Sequence, residues 1–189
     1  MFKTNAKNQG GRTGRKRHGF TLIETALATI IVGVGVLAIM AAQQNFHKQN
    51  AWSTHAATAM RLGNEIREMT LNLSRTDPVT QEAFWGPEPT ELTIGDFDDL
   101  DDFDGSDGNG LIFSHAAGNG PINARREIIA GMDGWSQTVS VWNVDPFDIT
   151  TSVADGQSVL IKFEVIVHYQ GPMDVEPREI TRVTWIAPG

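Results

Sequence analysis

RKRHGFTLIETALATIIVGVGVLAIMAAQ, residues 15–43, is the stretch from which the rest of this 189-residue chain is read. Arg15, Lys16 and Arg17 form a basic cluster ahead of His18 and Gly19. From Phe20 to Ala42 run 23 residues with one charge, Glu24. At about 1.5 Å of rise per residue, a helix of that length spans roughly 35 Å, enough for a bilayer core. A carboxylate in such a helix costs about 2.5–3.5 kcal/mol near the bilayer centre and less near an end. Glu24 is therefore either a functional group held in apolar surroundings or an interfacial carboxylate with its oxygens in water.

Gly19-Phe20-Thr21-Leu22-Ile23-Glu24, after a basic leader and before an unbroken apolar run, resembles the processing site of type IV prepilins and type II secretion pseudopilins. One position departs from the pattern: His18 stands before the glycine in place of Lys or Arg. The resemblance implies cleavage between Gly19 and Phe20 by a membrane prepilin peptidase and N-methylation of the new terminus at Phe20. It also implies assembly through the N-terminal helix into a filament of like subunits, with Glu24 as the assembly residue. The implied role is a structural subunit, a minor pilin or a pseudopilin, of a pilus or a secretion pseudopilus. A secretory signal peptide is the rival reading, but its apolar core would be shorter and would end in a small-residue cleavage site.

Charge is partitioned along the chain. Six of its 15 basic residues lie before Phe20, with no acid among them. The remaining nine face 23 acids, a net charge of about −14. Basic residues before an apolar span and acidic ones after it place the N-terminus in the cytoplasm and the bulk outside the inner membrane. After assembly, the subunit is expected in a periplasmic or extracellular filament. An acidic exterior argues against a direct nucleic-acid surface. There is no cysteine, so no disulfide staples the head, as one does in many pilins, and thiol chemistry is excluded.

Working outward from the span, the sequence divides into five parts. Residues 1–19 are the cleaved leader. Residues 20–48 form the membrane or filament-core half of a helix, with Gly33 and Gly35 either tolerated by packing or serving as a weak point for unwinding. Residues 49–74 form an amphipathic half. There Trp52, Ala56, Ala59, Met60, Gly63, Ile66, Met69 and Leu73 recur at steps of three and four, a stripe suited to packing on a sheet. His47 and His55 read as solvated. Thr76-Asp77-Pro78 stops the helix near Ser74.

Residues 75–110 are a connector, with a short strand at most at Glu91–Ile94, and end in DFDDLDDFDGSDGNG (96–110). Seven aspartates crowd that loop, while Phe97, Leu100 and Phe103 at steps of three let one side dock on the head. Such carboxylates need solvent or a cation. Hard oxygen ligands at this density suit Ca²⁺, for which Asp102, Asp104 and Asp107 are the candidate ligands, although the spacing is not that of an EF-hand.

Residues 111–189 read as the sheet. Strands are expected at Leu111–Phe113, Thr138–Val144, Val159–Tyr169 and Ile180–Ile186, and strand or turn at Arg125–Ala130. The fold class is α+β: one long N-terminal helix, its first half transmembrane, packed on an antiparallel sheet. No nucleophile elbow, phosphate loop or zinc-binding histidine pair is present, so no catalytic activity is expected. The alternative function is a membrane-anchored binding or adhesion module that uses the pilin-type start for export alone.

Overall fold

The computed structural model describes residues 19–78 and 85–188. The leader, expected to be cleaved, lies almost wholly outside these residues. The chain forms two compact units, one ending at Lys48 and one beginning at Gln49. In the first, the helix α1 begins. It runs over Leu22–Thr70, 49 residues. Every described residue up to Asn50 is exposed, apolar ones included. The helix is long and apolar enough to cross a membrane.

The second unit holds the rest of α1 and a five-stranded antiparallel sheet: β1 (Leu111–Ser114), β2 (Trp135–Asp145), β3 (Asp148–Ser152), β4 (Leu160–Tyr169) and β5 (Arg178–Pro188). The order is β1-β2-β4-β5, with β3 paired to β2. The fold is α+β, as the sequence predicts. In β4 up to Val167, and in β2 as far as Asn143, buried and less buried side chains alternate. Trp135, Gln137, Val139 and Val141 face the core beside Ile161, Phe163, Val165 and Val167. Val139 pairs with Val165 and Val141 with Phe163, so the register stacks β-branched and aromatic residues on one face.

Helix α1 covers that face with Ala59, Leu62, Gly63, Ile66 and Met69. The predicted stripe is right in phase from Ala59 onward but differs in membership. Met60 and Trp52 point to solvent, and Leu62 takes the buried place. Gly63 is where the helix comes closest. A β-carbon there would lie 2.6 Å from Val183 Cγ2, so only hydrogen fits.

The helix ends at Thr70, four residues before the predicted stop. The Thr70 hydroxyl donates to the Arg67 carbonyl at 2.9 Å, and the chain then turns to pair Ser74 with Asp99 in an isolated parallel bridge. That tertiary pairing takes the backbone out of the helix before the proline does. Glu91–Ile94 is irregular and enters a turn at Ile94, with no strand, and Arg125–Ala130 is a turn region held by an Ile122–Ile128 bridge. His55, expected to be solvated, packs against Tyr169 and Trp135, with ring centroids 4.4 and 5.6 Å away.

Candidate functional site

At the N-terminus of the described chain, Gly19 and Phe20 precede the helix and are exposed. Thr21 caps it. The Glu24 backbone N–H donates to Thr21 Oγ1 at 3.3 Å and to the Thr21 carbonyl at 3.1 Å. Thr21-Leu22-Ile23-Glu24 thus has the spacing of a capping box, with the acid in the first turn, where the helix dipole favours negative charge. Among the described residues the Glu24 carboxylate has no ion pair. Further along, the Thr25 and Thr29 hydroxyls donate back to the Leu22 and Thr25 carbonyls at 2.9 and 2.8 Å. Those bonds leave the polar side chains satisfied inside an otherwise apolar segment.

A second group of functional interest is the Asp-rich loop. Phe97, Leu100 and Phe103 are buried and enter the core, so the predicted docking side is present. The carboxylates are less solvated than a free loop would allow. Asp99, Asp101, Asp102 and Asp104 are all buried, the last three within a 3-10 turn over Asp101–Asp104. Backbone and side-chain donors take part of their capacity. Asp102 Oδ2 accepts the Asp98 and Asp99 N–H groups at 2.9 and 3.1 Å. Asp101 Oδ2 accepts the Gly86 N–H at 3.1 Å, and Asp104 Oδ2 accepts Trp85 Nε1–H at 2.8 Å.

Burial, and then the charges of Asp101 and Asp102, push the Asp99 carboxyl up to about 9. Burial, and then its contact with Glu91, push Glu88 up to about 7. Burial also raises Glu91, Asp101, Asp102 and Asp104 above the ordinary carboxylate range.

The predicted ligands Asp102, Asp104 and Asp107 are not gathered as a group. Asp107 is exposed, and its carboxylate is turned to Asn109, whose N–H lowers its pKa. Asp104 is engaged by Trp85. Among the described residues, the group close enough to share an ion is Glu88, Glu91 and Asp102, each offering an oxygen within 4.8 Å of the others. Only Asp102 is common to the two sets. Glu88 and Glu91 come from the Pro-rich connector, and no local spacing marks them as partners of a loop a dozen residues on.

Comparison with known families gives one match. Residues 14–40 fit the family model of the prokaryotic N-terminal methylation motif. The chain carries a type IV pilin-like prepilin motif. No curated protein and no solved structure matches the chain. The prepilin motif marks a processed, pilin-like protein and implies a prepilin peptidase as processing enzyme. The apolar helix that follows fits an anchor in the inner membrane. Within the matched residues, Gly19 and Phe20 stand just before the helix and Glu24 is the acid of its first turn. The sequence reading missed that Thr21 caps the helix. The signal was there as Thr at one position and Glu three residues later.

Proposed function

We propose that this chain is a structural subunit, a minor pilin or pseudopilin, of a type IV pilus or a type II secretion pseudopilus. Its role is assembly and not catalysis. The observation that carries the reading is the prepilin motif at residues 14–40 leading into a helix whose apolar side chains are exposed up to Asn50, with nothing covering them among the described residues. Ile23, Ile30, Ile31, Val34 and Leu37 are each more than half exposed. A membrane accepts such a surface before assembly, and the same surfaces of like subunits accept it afterwards.

Glu24 supplies the register. Cleavage before Phe20 creates an amine that is cationic at neutral pH. Buried alone among apolar helices, that cation would cost several kcal/mol. Glu24 is the acid available to pair with it, in the same chain or in a neighbouring subunit. Because pairing has to offset the desolvation of both groups, the pair contributes stagger specificity more than stability. Glu24→Ala is therefore expected to enter the membrane and be cleaved normally, yet to be depleted from sheared filaments. Incorporation equal to wild type would reduce Glu24 to a capping and interfacial carboxylate.

A second reading, a membrane-anchored adhesion module, is favoured by three apolar side chains at loop tips, Phe147, Met173 and Val175, each at least 93% exposed. Purified filaments that lack the chain altogether would support it.

A further inference from the structure

Three carboxylates from two separate stretches meet with no ion-paired base beside them among the described residues. Glu88, Glu91 and Asp102 bring their oxygens within 4.8 Å of one another. Asp102 is wholly buried. Its Oδ2 is occupied by two backbone N–H groups, and its carboxyl contacts that of Glu91. The remaining oxygen, Oδ1, is buried with no hydrogen-bond partner, as is Glu88 Oε2. While ionised, these carboxylates only accept, so in that state their free oxygens call for a cation. Among the described residues no Lys, Arg or His forms an ion pair with any of the three. A groove of about 440 Å³, walled in part by Pro87, Glu88, Glu91, Phe97 and Phe113, lies against two of them and supplies an entry path.

We propose that Glu88, Glu91 and Asp102 bind one hard divalent cation, Ca²⁺, which ties the connector to the 3-10 turn. The donor set is all oxygen, with no imidazole and no thiol in the chain's contribution, which selects Ca²⁺ over softer metals. Two oxygens on opposite sides of a Ca²⁺ ion stand about 4.6–5.2 Å apart, so the three carboxylates are already at the spacing of a single ion. The buried oxygens without donors are satisfied by the metal, and the positions facing the groove are left to water. The link reinforces a seam held otherwise by Gly86 N–H on Asp101 and by Trp85 on Asp104. In a chain without disulfides, the cation gives the connector a cross-link.

The test uses the full chain in detergent micelles after EDTA treatment. Calorimetric titration with CaCl₂ is expected to show one ion per chain, and millimolar CaCl₂ should raise the thermal unfolding midpoint by several degrees. MgCl₂ at the same concentration should raise it less. The double variant Glu88→Gln with Glu91→Gln should keep the wild-type circular dichroism spectrum and lose both the binding and the rise. Asp107→Asn should keep both. Absence of Ca²⁺ binding by the wild type at millimolar ion would overturn the proposal, as would unchanged binding in the double variant. A rise with MgCl₂ equal to that with CaCl₂ would overturn Ca²⁺ as the occupant. Asp102→Asn is left out, because loss of a buried charge beside two backbone donors is liable to unfold the turn.

Discussion

Gln137 offers the sharpest test of how the second unit is held together. It sits fully buried in the middle of β2, on the core face between Trp135 and Val139. Its amide joins three elements. Oε1 accepts the Ile122 N–H at 2.8 Å, and Nε2 donates to the Ile122 carbonyl at 3.1 Å and to the Leu62 carbonyl of α1 at 2.8 Å. Gln137→Leu keeps approximate volume and removes all three bonds. The Leu62 carbonyl lies inside α1 and retains the helical ladder. Ile122 is itself buried, so its N–H and carbonyl would be left without partners. At about 1–3 kcal/mol for each orphaned buried group, less the gain from a more apolar side chain, the net loss comes to about 3 kcal/mol.

For a unit of this size the loss corresponds to a fall in melting temperature of about 10 °C. Near-ultraviolet circular dichroism of the chain in detergent reads the transition, because Trp135 and Trp185 report on the sheet. Hydrogen exchange reads the local consequence: the Ile122 amide should be protected in the wild type and exchange rapidly in the variant. A loss below about 1 kcal/mol, with Ile122 still protected, would refute the reasoning that this amide clamps helix, sheet and loop.

Three further outcomes are expected. Asn143 is fully buried, and among the described residues neither polar atom of its side chain has a partner. Asn143→Val, which also suits a strand, should therefore raise stability by about 1 kcal/mol in urea unfolding. Gly63→Ala gains up to about 1 kcal/mol of helix propensity but drives a methyl against the stiff Val183 side chain, so it should be neutral to destabilising by about 1–2 kcal/mol, and Gly63→Leu worse, in the same assay. Finally, in EDTA the melting temperature should fall as pH rises from 5 towards 9. The folded chain holds the Asp99 proton up to about 9 while the unfolded chain releases it near 4, so in that window the folded state binds more protons and loses stability with rising pH. A melting temperature that climbs over that range would contradict the buried, charge-crowded setting of Asp99.

Much of this molecule is legible in its sequence because its periodicities are clean. Val159, Ile161, Phe163, Val165 and Val167 announce β4 by strict alternation, and the structure shortens that strand by one residue. The apolar run after Gly19 announces the helix, and the prepilin motif is confined to residues whose register is linear in sequence. The β3 strand, DITTS, escaped because it is exposed along its whole length and has no buried face to leave a pattern. Leu62 displaced Met60 from the stripe because both fit steps of three and four, and only the sheet decides which is covered.

The acidic loop shows the same boundary. The docking residues Phe97, Leu100 and Phe103 follow from spacing. Which carboxylates meet does not, because Glu88 and Glu91 reach Asp102 only through the way the connector folds back on the 3-10 turn. Asp107, adjacent in sequence, turns instead to its own Asx contact with Asn109.

The central claim is that the motif at residues 14–40 is used as a prepilin site, and the terminal peptide of the chain extracted from its native membrane tests it most directly. Mass analysis should find that peptide beginning at Phe20 and carrying one added methyl group on its amine, and Gly19→Leu should leave the leader attached, since a bulky side chain crowds the scission point. A native chain that retains residues 1–19, or one that begins after the apolar span near Gln43, would contradict the account.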